Sequence, residues 1–447
     1  MTTPQPENSP WGAANKIPPL GLTYIAAFLE QEGFQVSLLD NYAANRSVEQ
    51  VKLEVKKLAP EIVGIGCTSN TYKRCVETAK AVKAVVPDCK IVVGGPHPSF
   101  MPESMLQHPE IDCAVMGEGE RAMLELVNIF KSRKTEQISR VRSAAFRQNG
   151  QIVKNPQSFI KDLDKLPFPA RHLLSMPLYD REIDYLDAKP VDTMNVIRGC
   201  PYNCNWCNVK GLWGNSCRAF GPARVVAEIE HMVQNLGTKG IYFVGDNFTI
   251  NKKRTIELCR LMKEHKLDVE WTCDTGADQI SRELLQEMKA AGCKTIWFGV
   301  ESGSSKVLEK INRGLTLDKV ENTFRLCKEE GVKTAVSFML GIPGETKADM
   351  NATFKFARKI DPDWCHFNIF IAYPGCCLYD EIIQKGLYDR LEDFLAYVKT
   401  ADFDYESLLE TQKRFHGSFN KSPKRIMRKI KREGPLKVFK QLVTTGK

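Results

Sequence analysis

Three cysteines stand close together in the run Arg198-Gly-Cys-Pro-Tyr-Asn-Cys-Asn-Trp-Cys207, with the spacing C-x3-C-x2-C. Cys200, Cys204 and Cys207 could supply three thiolates to an iron–sulfur cube, each thiolate binding a different iron. The fourth iron of such a cube is left without a protein ligand. Because an iron with an open coordination position can bind a small molecule, this spacing indicates catalysis rather than a structural cross-link.

Two other uses of these cysteines are weaker interpretations. Structural zinc takes four ligands, and Cys217, ten residues further on, is a candidate for the fourth. A disulfide framework fits poorly, since the fifteen cysteines are an odd number scattered over 447 residues. The first residues, Met-Thr-Thr-Pro-Gln-Pro, are polar and do not resemble a secretory signal. Scattered thiols without such a signal predict a reducing, cytoplasmic location.

The cysteine run, with Trp206 directly before its last thiol, resembles the signature of the radical S-adenosylmethionine (radical SAM) enzymes. In that family the open iron binds the amine and carboxylate of the methionyl group. An electron from the cluster then splits a carbon–sulfur bond and releases a 5′-deoxyadenosyl radical. The resemblance implies a [4Fe–4S] cluster and S-adenosylmethionine as cofactors, and a reducing partner of the flavodoxin or ferredoxin type.

The elements that must position this loop alternate between strands and helices in the second half of the chain. Six strand–helix units indicate an open (β/α)6 barrel rather than a closed eight-unit barrel. In such barrels the chemistry takes place at the carboxyl ends of the strands, and the cysteine loop follows the first strand. The predicted strands lie near 192–197, 240–245, 269–274, 294–300, 333–340 and 365–372.

The loops after the later strands also resemble the radical SAM family, and the resemblance implies their roles. The loop after the second strand would meet the methionyl amine, and a carboxylate after the fourth strand would accept hydrogen bonds from the ribose or the amine. Two glycines after the fifth strand would let the backbone approach adenine. In that order, the implied S-adenosylmethionine contacts are Gly245, Asp246, Asn247, Glu301, Gly341 and Gly344.

Residues 17–130 alternate in the same way and predict a doubly wound parallel sheet, with strands at 36–40, 62–67, 91–94 and 113–117. Ligands of such sheets bind beyond the carboxyl ends of the strands. Three of those ends carry glycines and hydroxyl groups, which suit close approach and hydrogen bonding. The three runs are Cys67-Thr-Ser-Asn-Thr-Tyr72, Gly94-Gly-Pro-His97 and Gly117-Glu-Gly-Glu120.

These runs, together with Pro18-Pro-Leu-Gly-Leu22, resemble the cobalamin-binding domain of the cobalamin-dependent radical SAM enzymes. The segment Leu39–Asn45 lacks the histidine of the Asp-x-His-x-x-Gly motif, so cobalt would have no histidine ligand from below. Residues 1–16 contain no apolar strand, so the usual first strand of the sheet is missing from the pattern. The implied cobalamin contacts are Ser69, Thr71, Gly94, Gly95 and Gly117.

The predicted organisation is a cobalamin-binding-like domain (1–135), a linker (136–187), the barrel (188–395) and a helical, basic tail (396–447). The formal charge is +9, and residues 421–447 alone hold ten Lys or Arg and one acidic residue, so the rest is neutral. We therefore expect no nucleic-acid partner for the catalytic body. A basic amphipathic tail could hold the protein at the periphery of an anionic membrane, or pack its apolar face on the barrel.

The resemblance implies modification of an unactivated carbon in a small-molecule or lipid substrate, with methylation as the leading hypothesis and cobalamin as the methyl donor. Oxidative cyclisation, as in the anaerobic magnesium-protoporphyrin monomethyl ester cyclase branch, is the nearest alternative. An RNA methylthiotransferase and a non-catalytic cobalamin sensor are more distant ones. A methyltransferase should yield S-adenosylhomocysteine and 5′-deoxyadenosine, whereas a cyclase should yield 5′-deoxyadenosine alone.

Overall fold

The computed structural model describes residues 1–4, 16–420, 425–427, 430 and 434. Most of the basic segment 421–447, and with it the predicted membrane contact, lies outside these residues. None of the helices in the described part of the chain combines the length and the apolar composition needed to cross a membrane.

The amino-terminal half contains a five-stranded sheet in the order β1-β2-β3-β4-β5. Strands β1 to β3 are parallel, which confirms the predicted core. The register aligns Gly66 with Gly94 and Gly94 with Val115, so the three following loops begin at one edge. The strands are β1 (Ile62–Gly66), β2 (Lys90–Gly94), β3 (Cys113–Val115), β4 (Ala144–Gln148) and β5 (Gln151–Lys154). The helices are α1 (Leu20–Gln31), α2 (Val48–Leu58), α3 (Tyr72–Val85), α4 (Pro96–Phe100), α5 (Pro102–Leu106) and α6 (Glu120–Ser132).

Strands β4 and β5 form an antiparallel hairpin within the segment that the sequence analysis interprets as a linker. Its turn is Asn149-Gly150, with φ of 50° and 78°, which is the backbone that a two-residue hairpin turn requires. The predicted strand over 36–40 is wrong, since no strand is formed there. That segment is extended and Leu39 accepts a backbone hydrogen bond from Thr2 (3.1 Å).

Residues 1–4 lie beside β1, although the sequence predicts no strand there. The Gly66 amide donates to the Met1 carbonyl (2.9 Å), and the Met1 amino group donates to the Gly64 carbonyl. Thr3 is buried. This short extended segment therefore lies between β1 and the 36–40 segment.

The second half contains the predicted six-stranded sheet, with all five neighbouring pairs parallel and every strand next to its predecessor in the chain. The strands are β6 (Val191–Asn195), β9 (Gly240–Val244), β10 (Glu270–Thr275), β11 (Cys293–Glu301), β12 (Lys333–Leu340) and β13 (Trp364–Ile369), with β7 (Ile197–Arg198) and β8 (Arg218–Ala219) pairing beside the cysteine loop. The helices are α7 (Val209–Trp213), α8 (Pro222–Leu236), α9 (Lys252–Glu264), α10 (Arg282–Ala290), α11 (Ser305–Lys310), α12 (Leu317–Glu330), α13 (Lys347–Ile360) and α14 (Cys377–Lys385).

Side chains alternate between the two faces of this sheet. On β11, Ile296, Phe298 and Val300 are fully buried in the core against the helices, whereas Trp297 and Gly299 are only half-buried. The side opposite the helices therefore remains accessible along this strand. We call this inner space the barrel lumen.

A small antiparallel sheet and a helix follow the barrel in the described part of the chain. The sheet has the order β14-β16-β15, formed by β14 (Ile371–Ala372), β15 (Tyr388–Glu392) and β16 (Leu395–Val398). Helix α15 (Tyr405–Asn420) packs on β13, where the ring of Phe367 lies 5.4 Å from that of Phe415 and 6.1 Å from that of Phe419. Through this aromatic contact, α15 covers β13, the last strand of the barrel.

Candidate cluster and cofactor site

The cysteine loop follows β7 and is anchored by backbone hydrogen bonds to its surroundings. The Gly199 amide donates to Asp246 (2.7 Å), and the Asn205 amide and carbonyl bond to Ile311 and Leu378 (3.0 Å each). Gly199 has φ of 92°, and a Cβ there would lie 2.4 Å from the Ser216 carbonyl oxygen. A glycine is therefore required where the chain enters the loop.

Cys200, Cys204 and Cys207 are half-buried free thiols of this loop, and each is close enough to shift the titration of another. Burial raises the pKa of all three, that of Cys207 to about 12, while Arg313 opposes the shift at Cys200 and Cys204. Thiols in this state are neutral until a metal displaces their protons. Within the described residues no three His, Cys, Asp or Glu side chains converge on one ion, and thiolates on three different irons need not do so.

The loop after β9 carries the first group of predicted S-adenosylmethionine contacts. Burial raises the pKa of Asp246 to about 6, and its carboxylate holds the Gly199 amide at the start of the cysteine loop. Asn247 accepts hydrogen bonds from the Thr275 hydroxyl (2.7 Å) and the Gly276 amide (3.4 Å). Gly245 lies against Ile197: a Cβ at Gly245 would be 3.6 Å from the Ile197 carbonyl oxygen. These residues connect three strand ends next to the thiols.

Glu301 ends β11 in a conformation that a non-glycine residue rarely adopts, with φ of 71°. Its side chain is buried, and no described residue forms a hydrogen bond with its carboxylate. Burial raises its pKa to about 7, against the opposing charge of Arg313. A buried carboxylate without hydrogen bonds is costly unless a ligand compensates it; the contact of Glu301 with the ribose or amine of S-adenosylmethionine stays a prediction.

The two predicted adenine glycines differ in their surroundings. Gly341 has φ of 94°, and a Cβ there would meet Leu408 of α15 at 2.5 Å, so packing against α15 already explains this glycine. Gly344 has φ of 83° with no heavy atom near the Cβ position, and it lines an open cleft of about 440 Å³. Glu345, which no sequence pattern singles out, holds this turn: its carboxylate accepts hydrogen bonds from the amides of Gly341 (2.7 Å) and Ile342 (3.2 Å).

The predicted cobalamin contacts lie along the carboxyl edge of the amino-terminal sheet. The Ser69 hydroxyl bonds to Nδ1 of His97 (3.0 Å), whose Nε2 bonds to Ser104 (2.9 Å). Burial lowers the pKa of His97 to about 4, so its ring is neutral. Thr71 completes a turn through hydrogen bonds to Thr68. Both ring nitrogens of His97 therefore form hydrogen bonds within the protein.

Three glycines complete this edge. Gly94 ends β2, and Gly95 follows it with φ of 107° and its Cβ position 2.7 Å from the Cys67 carbonyl oxygen. Gly117 has φ of 76° and donates to the Ser99 hydroxyl (2.8 Å). The Cβ position of Gly117 is 3.1 Å from the carbonyl oxygen of Leu212, which follows the cysteine loop. The glycines thus allow close approach of neighbouring backbone.

Gly95→Ala should destabilise the protein more than Gly150→Ala. Both glycines have positive φ, which costs an alanine about 1–2 kcal/mol. Only the alanine at 95 would also press on a neighbouring backbone oxygen, since nothing lies within 4 Å of the Cβ position at 150. We expect a total of about 2–4 kcal/mol at 95, measured by urea unfolding; equal losses for both variants would contradict this account.

The cysteine side of the barrel and the glycine edge of the amino-terminal sheet face each other directly. The Phe100 ring lies 2.3 Å from the Cβ position of Gly211 and 2.2 Å from that of Gly375, so these two barrel glycines make room for it. The Gln157 side chain donates to the Gly211 carbonyl (3.3 Å). A ligand bound at one of these edges would therefore lie next to the other edge.

A buried ionic network links the same two edges. Arg198, two residues before Cys200, donates to Glu118 (2.9 Å), in the loop after β3, and to Glu120 (2.6 Å), the first residue of α6. Arg218 donates to the same Glu118 oxygen (2.8 Å). The Arg198 guanidinium also lies over the rings of Tyr24 (5.3 Å) and Trp213 (5.2 Å). We call the Arg198–Glu118–Glu120–Arg218 set the interdomain network.

The hairpin β15–β16 also reaches the amino-terminal domain. The ring of Phe394, at its turn, lies 5.2 Å from that of Tyr72 and 5.1 Å from that of His97. Asp393 forms a salt bridge with Lys73 (3.1 Å). The sequence alone offers no signal for this contact, because the hairpin and the edge it covers are about 300 residues apart.

Two family models match the chain in the regions just described. The model of the radical SAM superfamily matches residues 194–357, and the model of the B12 binding domain matches residues 13–127. The first contains the cysteine loop and the strand ends up to Gly344. The second contains the glycine edge. The matches therefore cover both faces of the candidate site.

The chain is similar to whole proteins with this combination. It is 31% identical to an uncharacterized methyltransferase of Pyrococcus horikoshii, over 92% of this chain and 90% of that protein. It is 29% identical to the anaerobic magnesium-protoporphyrin IX monomethyl ester cyclase of Rubrivivax gelatinosus, over 83% and 67%. It shares its fold with the cobalamin-dependent S-adenosylmethionine radical enzyme OxsB (TM-score 0.75, 16% identity, 96% of this chain and 69% of that one). The chain belongs to the cobalamin-binding radical SAM family, whose cofactors are a [4Fe–4S] cluster, S-adenosylmethionine and cobalamin.

Proposed function

We propose that this protein is a cobalamin-dependent radical SAM methyltransferase acting on an unactivated carbon of a small molecule. The observation that carries the proposal is the direct contact of the cysteine side of the barrel with the glycine edge of the amino-terminal sheet. Cobalamin at the glycine edge would supply a methyl group and the cluster at the cysteine loop would supply a radical, and both have to reach the same substrate carbon. Facing edges meet that requirement without a large movement of either domain.

We assign the cluster to Cys200, Cys204 and Cys207, because they are half-buried thiols in one anchored loop. Asp246 holds the entry of this loop, and Glu301 offers a buried carboxylate without a hydrogen bond beside it. We extend the assignment to the remaining predicted contacts, and to the division at 135, 187 and 395, as parts of the same proposal. The remaining assigned residues are Gly245, Asn247, Gly341 and Gly344 for S-adenosylmethionine, and Ser69, Thr71, Gly94, Gly95 and Gly117 for cobalamin.

The bound cofactors supply an electron that cleaves S-adenosylmethionine into methionine and a 5′-deoxyadenosyl radical, and a methyl group that comes from a second S-adenosylmethionine. The protein contributes position, charge and exclusion of water. Glu301 would orient the cleaved molecule through its ribose or amine. The Phe100 contact with Gly211 and Gly375 narrows the space between the two edges. An electron donor of the flavodoxin or ferredoxin type completes the proposal.

Similarity in length supports methylation over oxidative cyclisation. The methyltransferase relative is covered over 90% of its length, whereas only 67% of the cyclase is covered. A methyltransferase of this kind consumes two S-adenosylmethionine molecules for each methylated product. One loses its methyl group and leaves as S-adenosylhomocysteine, and the other is cleaved reductively.

The products of S-adenosylmethionine test the proposal. The protein, reconstituted anaerobically with iron, sulfide and cobalamin, should form both 5′-deoxyadenosine and S-adenosylhomocysteine when reduced with dithionite. Liquid chromatography with mass spectrometry measures both products, and preparations without cobalamin provide the control. We expect omission of cobalamin to abolish S-adenosylhomocysteine alone. Formation of 5′-deoxyadenosine without S-adenosylhomocysteine in the complete mixture would reject methylation and favour the cyclase alternative.

A further inference from the structure

The inner surface of the barrel is accessible and polar, unlike the packed apolar interior of a closed eight-unit barrel. Phe243, Cys273 and Phe298 are fully buried against the helices. The neighbours that point to the lumen, Asp274 and Trp297 among them, are only half-buried. A lumen lined in this way suits a bound molecule with polar groups.

Strand register places four lumen residues in one row. Asn195 of β6 lies opposite Val244 of β9. Phe243 lies opposite Cys273, which brings Asp274 beside Val244, and Asp274 lies opposite Trp297 of β11. The row therefore presents an amide, a methyl surface, a carboxylate and an indole across adjacent strands.

Two oxygen atoms of this row lack compensation. The Asn195 side-chain oxygen is buried and has no hydrogen-bond partner in the described structure, while its nitrogen donates to the Val244 carbonyl (3.3 Å). The Asp274 carboxylate accepts one hydrogen bond, from the Tyr242 hydroxyl to Oδ2 (2.7 Å). No Lys or Arg of the described residues forms a salt bridge with it. A buried acceptor without a partner is costly, as at Asn195, and the half-buried Asp274 adds a carboxylate without a cation, so a ligand that donates hydrogen bonds should occupy this row.

Aromatic rings stand beside these acceptors. The indole of Trp297 stacks on His366 with ring centroids 4.8 Å apart, and Tyr185 meets Trp297 edge-on at 5.0 Å. Burial lowers the pKa of His366, so its ring is not the missing cation. A carboxylate and a carbonyl oxygen next to an indole form a set that recognises a protonated amine.

We propose that the barrel lumen binds a substrate bearing a protonated amine, with Asp274 and Asn195 as its acceptors and Trp297 as its aromatic wall. This inference rests on the proposed function, since it names the substrate class of that site. Trp297 and Glu301 are four residues apart on β11, which is roughly 13 Å along a strand. The rest of the substrate would extend along the lumen towards the cluster. A purely aliphatic substrate would leave the Asn195 oxygen without a donor and the Asp274 carboxylate without a cation.

Three probes that share a 2-phenylethyl group test the inference on the reconstituted holoenzyme: 2-phenylethylammonium, 2-phenylethanol and 3-phenylpropionate. Ligand-observed saturation-transfer NMR measures their dissociation constants. We expect the ammonium to bind about tenfold more tightly than the alcohol, as one charge-assisted contact provides, and the carboxylate to bind most weakly. Equal binding of ammonium and alcohol would overturn the inference.

Two variants test whether Asp274 is the residue that gives the preference for the ammonium probe. Asp274→Asn should abolish it, whereas Asp268→Asn, which removes the same charge from an exposed position before β10, should retain it. A preference that survives Asp274→Asn would also overturn the assignment. If Asp274→Asn fails to fold, as judged by circular dichroism, the selectivity of the unmodified protein decides the matter.

The two proposals fail separately. The same preparation is assayed for S-adenosylhomocysteine and 5′-deoxyadenosine. Both products without an amine preference would reject the substrate class and leave the methyltransferase in place. An amine preference without S-adenosylhomocysteine would reject methylation and leave the lumen site in place.

Discussion

Replacement of Cys200, Cys204 and Cys207 by alanine should remove the iron and all radical chemistry. The reconstituted protein should hold about four irons per chain, and the triple variant close to none, because each thiolate binds one iron of the cube. The visible charge-transfer absorption of thiolate-bound iron should disappear with it. Formation of 5′-deoxyadenosine should fall to the level of a protein-free blank, since the electron for cleavage comes from the cluster.

Cys217→Ala is the matched control for this experiment. Cys217 is also half-buried and lies close enough to Cys200 to affect its environment. We expect this variant to keep its iron and its absorption. Loss of the cluster in Cys217→Ala would show that a fourth thiol is a ligand, and would restore the alternative of a four-cysteine site. Retention of the absorption in the triple variant would refute the cysteine assignment itself.

The strand ends were predictable because periodicity and motif agree there. A buried strand followed by glycine and a polar residue places that residue at the carboxyl edge of a parallel sheet. All six barrel strands and three sheet strands form where the pattern predicts them. Glu301 could thus be placed beside the cysteine loop from its position alone. Its missing hydrogen bonds could not, because they depend on which side chains face it from other strands.

Other features could not be predicted, for reasons that differ. The hairpin at 144–154 had a signal, Asn149-Gly150, but the strands on each side are short and β5 is partly polar. The polar row of Asn195, Asp274 and Trp297 depends on the register of four strands, which a single sequence does not determine. The partners of Arg198 lie about 80 residues away in a different domain. Burial and charge pairing over such distances follow from the fold.

The interdomain network leads to the second large prediction, for Arg198→Met. Arg198 and its two partners are almost completely buried. Removing the cation leaves Glu120 without the one partner that the structure shows for it, and leaves Glu118 with Arg218 and the Ile160 amide. Breaking a buried ion pair from one side typically costs about 3–5 kcal/mol. We expect a loss of this size in the free energy of unfolding, measured by urea titration of the anaerobic protein.

Arg260→Met makes the same change at an exposed ion pair, with Glu257 and Glu264, and should alter stability little. Adding Glu120→Gln to Arg198→Met should recover part of the loss, because the neutral amide no longer leaves a buried charge unpaired. Since Arg198 precedes Cys200 by two residues, the single variant should also release iron faster to a chelator. A loss of stability equal to that of Arg260→Met, or no recovery of stability in the double variant, would mean that the interdomain network does not hold the two edges together. The proximity of the two cofactor sites would then depend on the apolar contacts of Phe100 and of Phe394 at the hairpin turn.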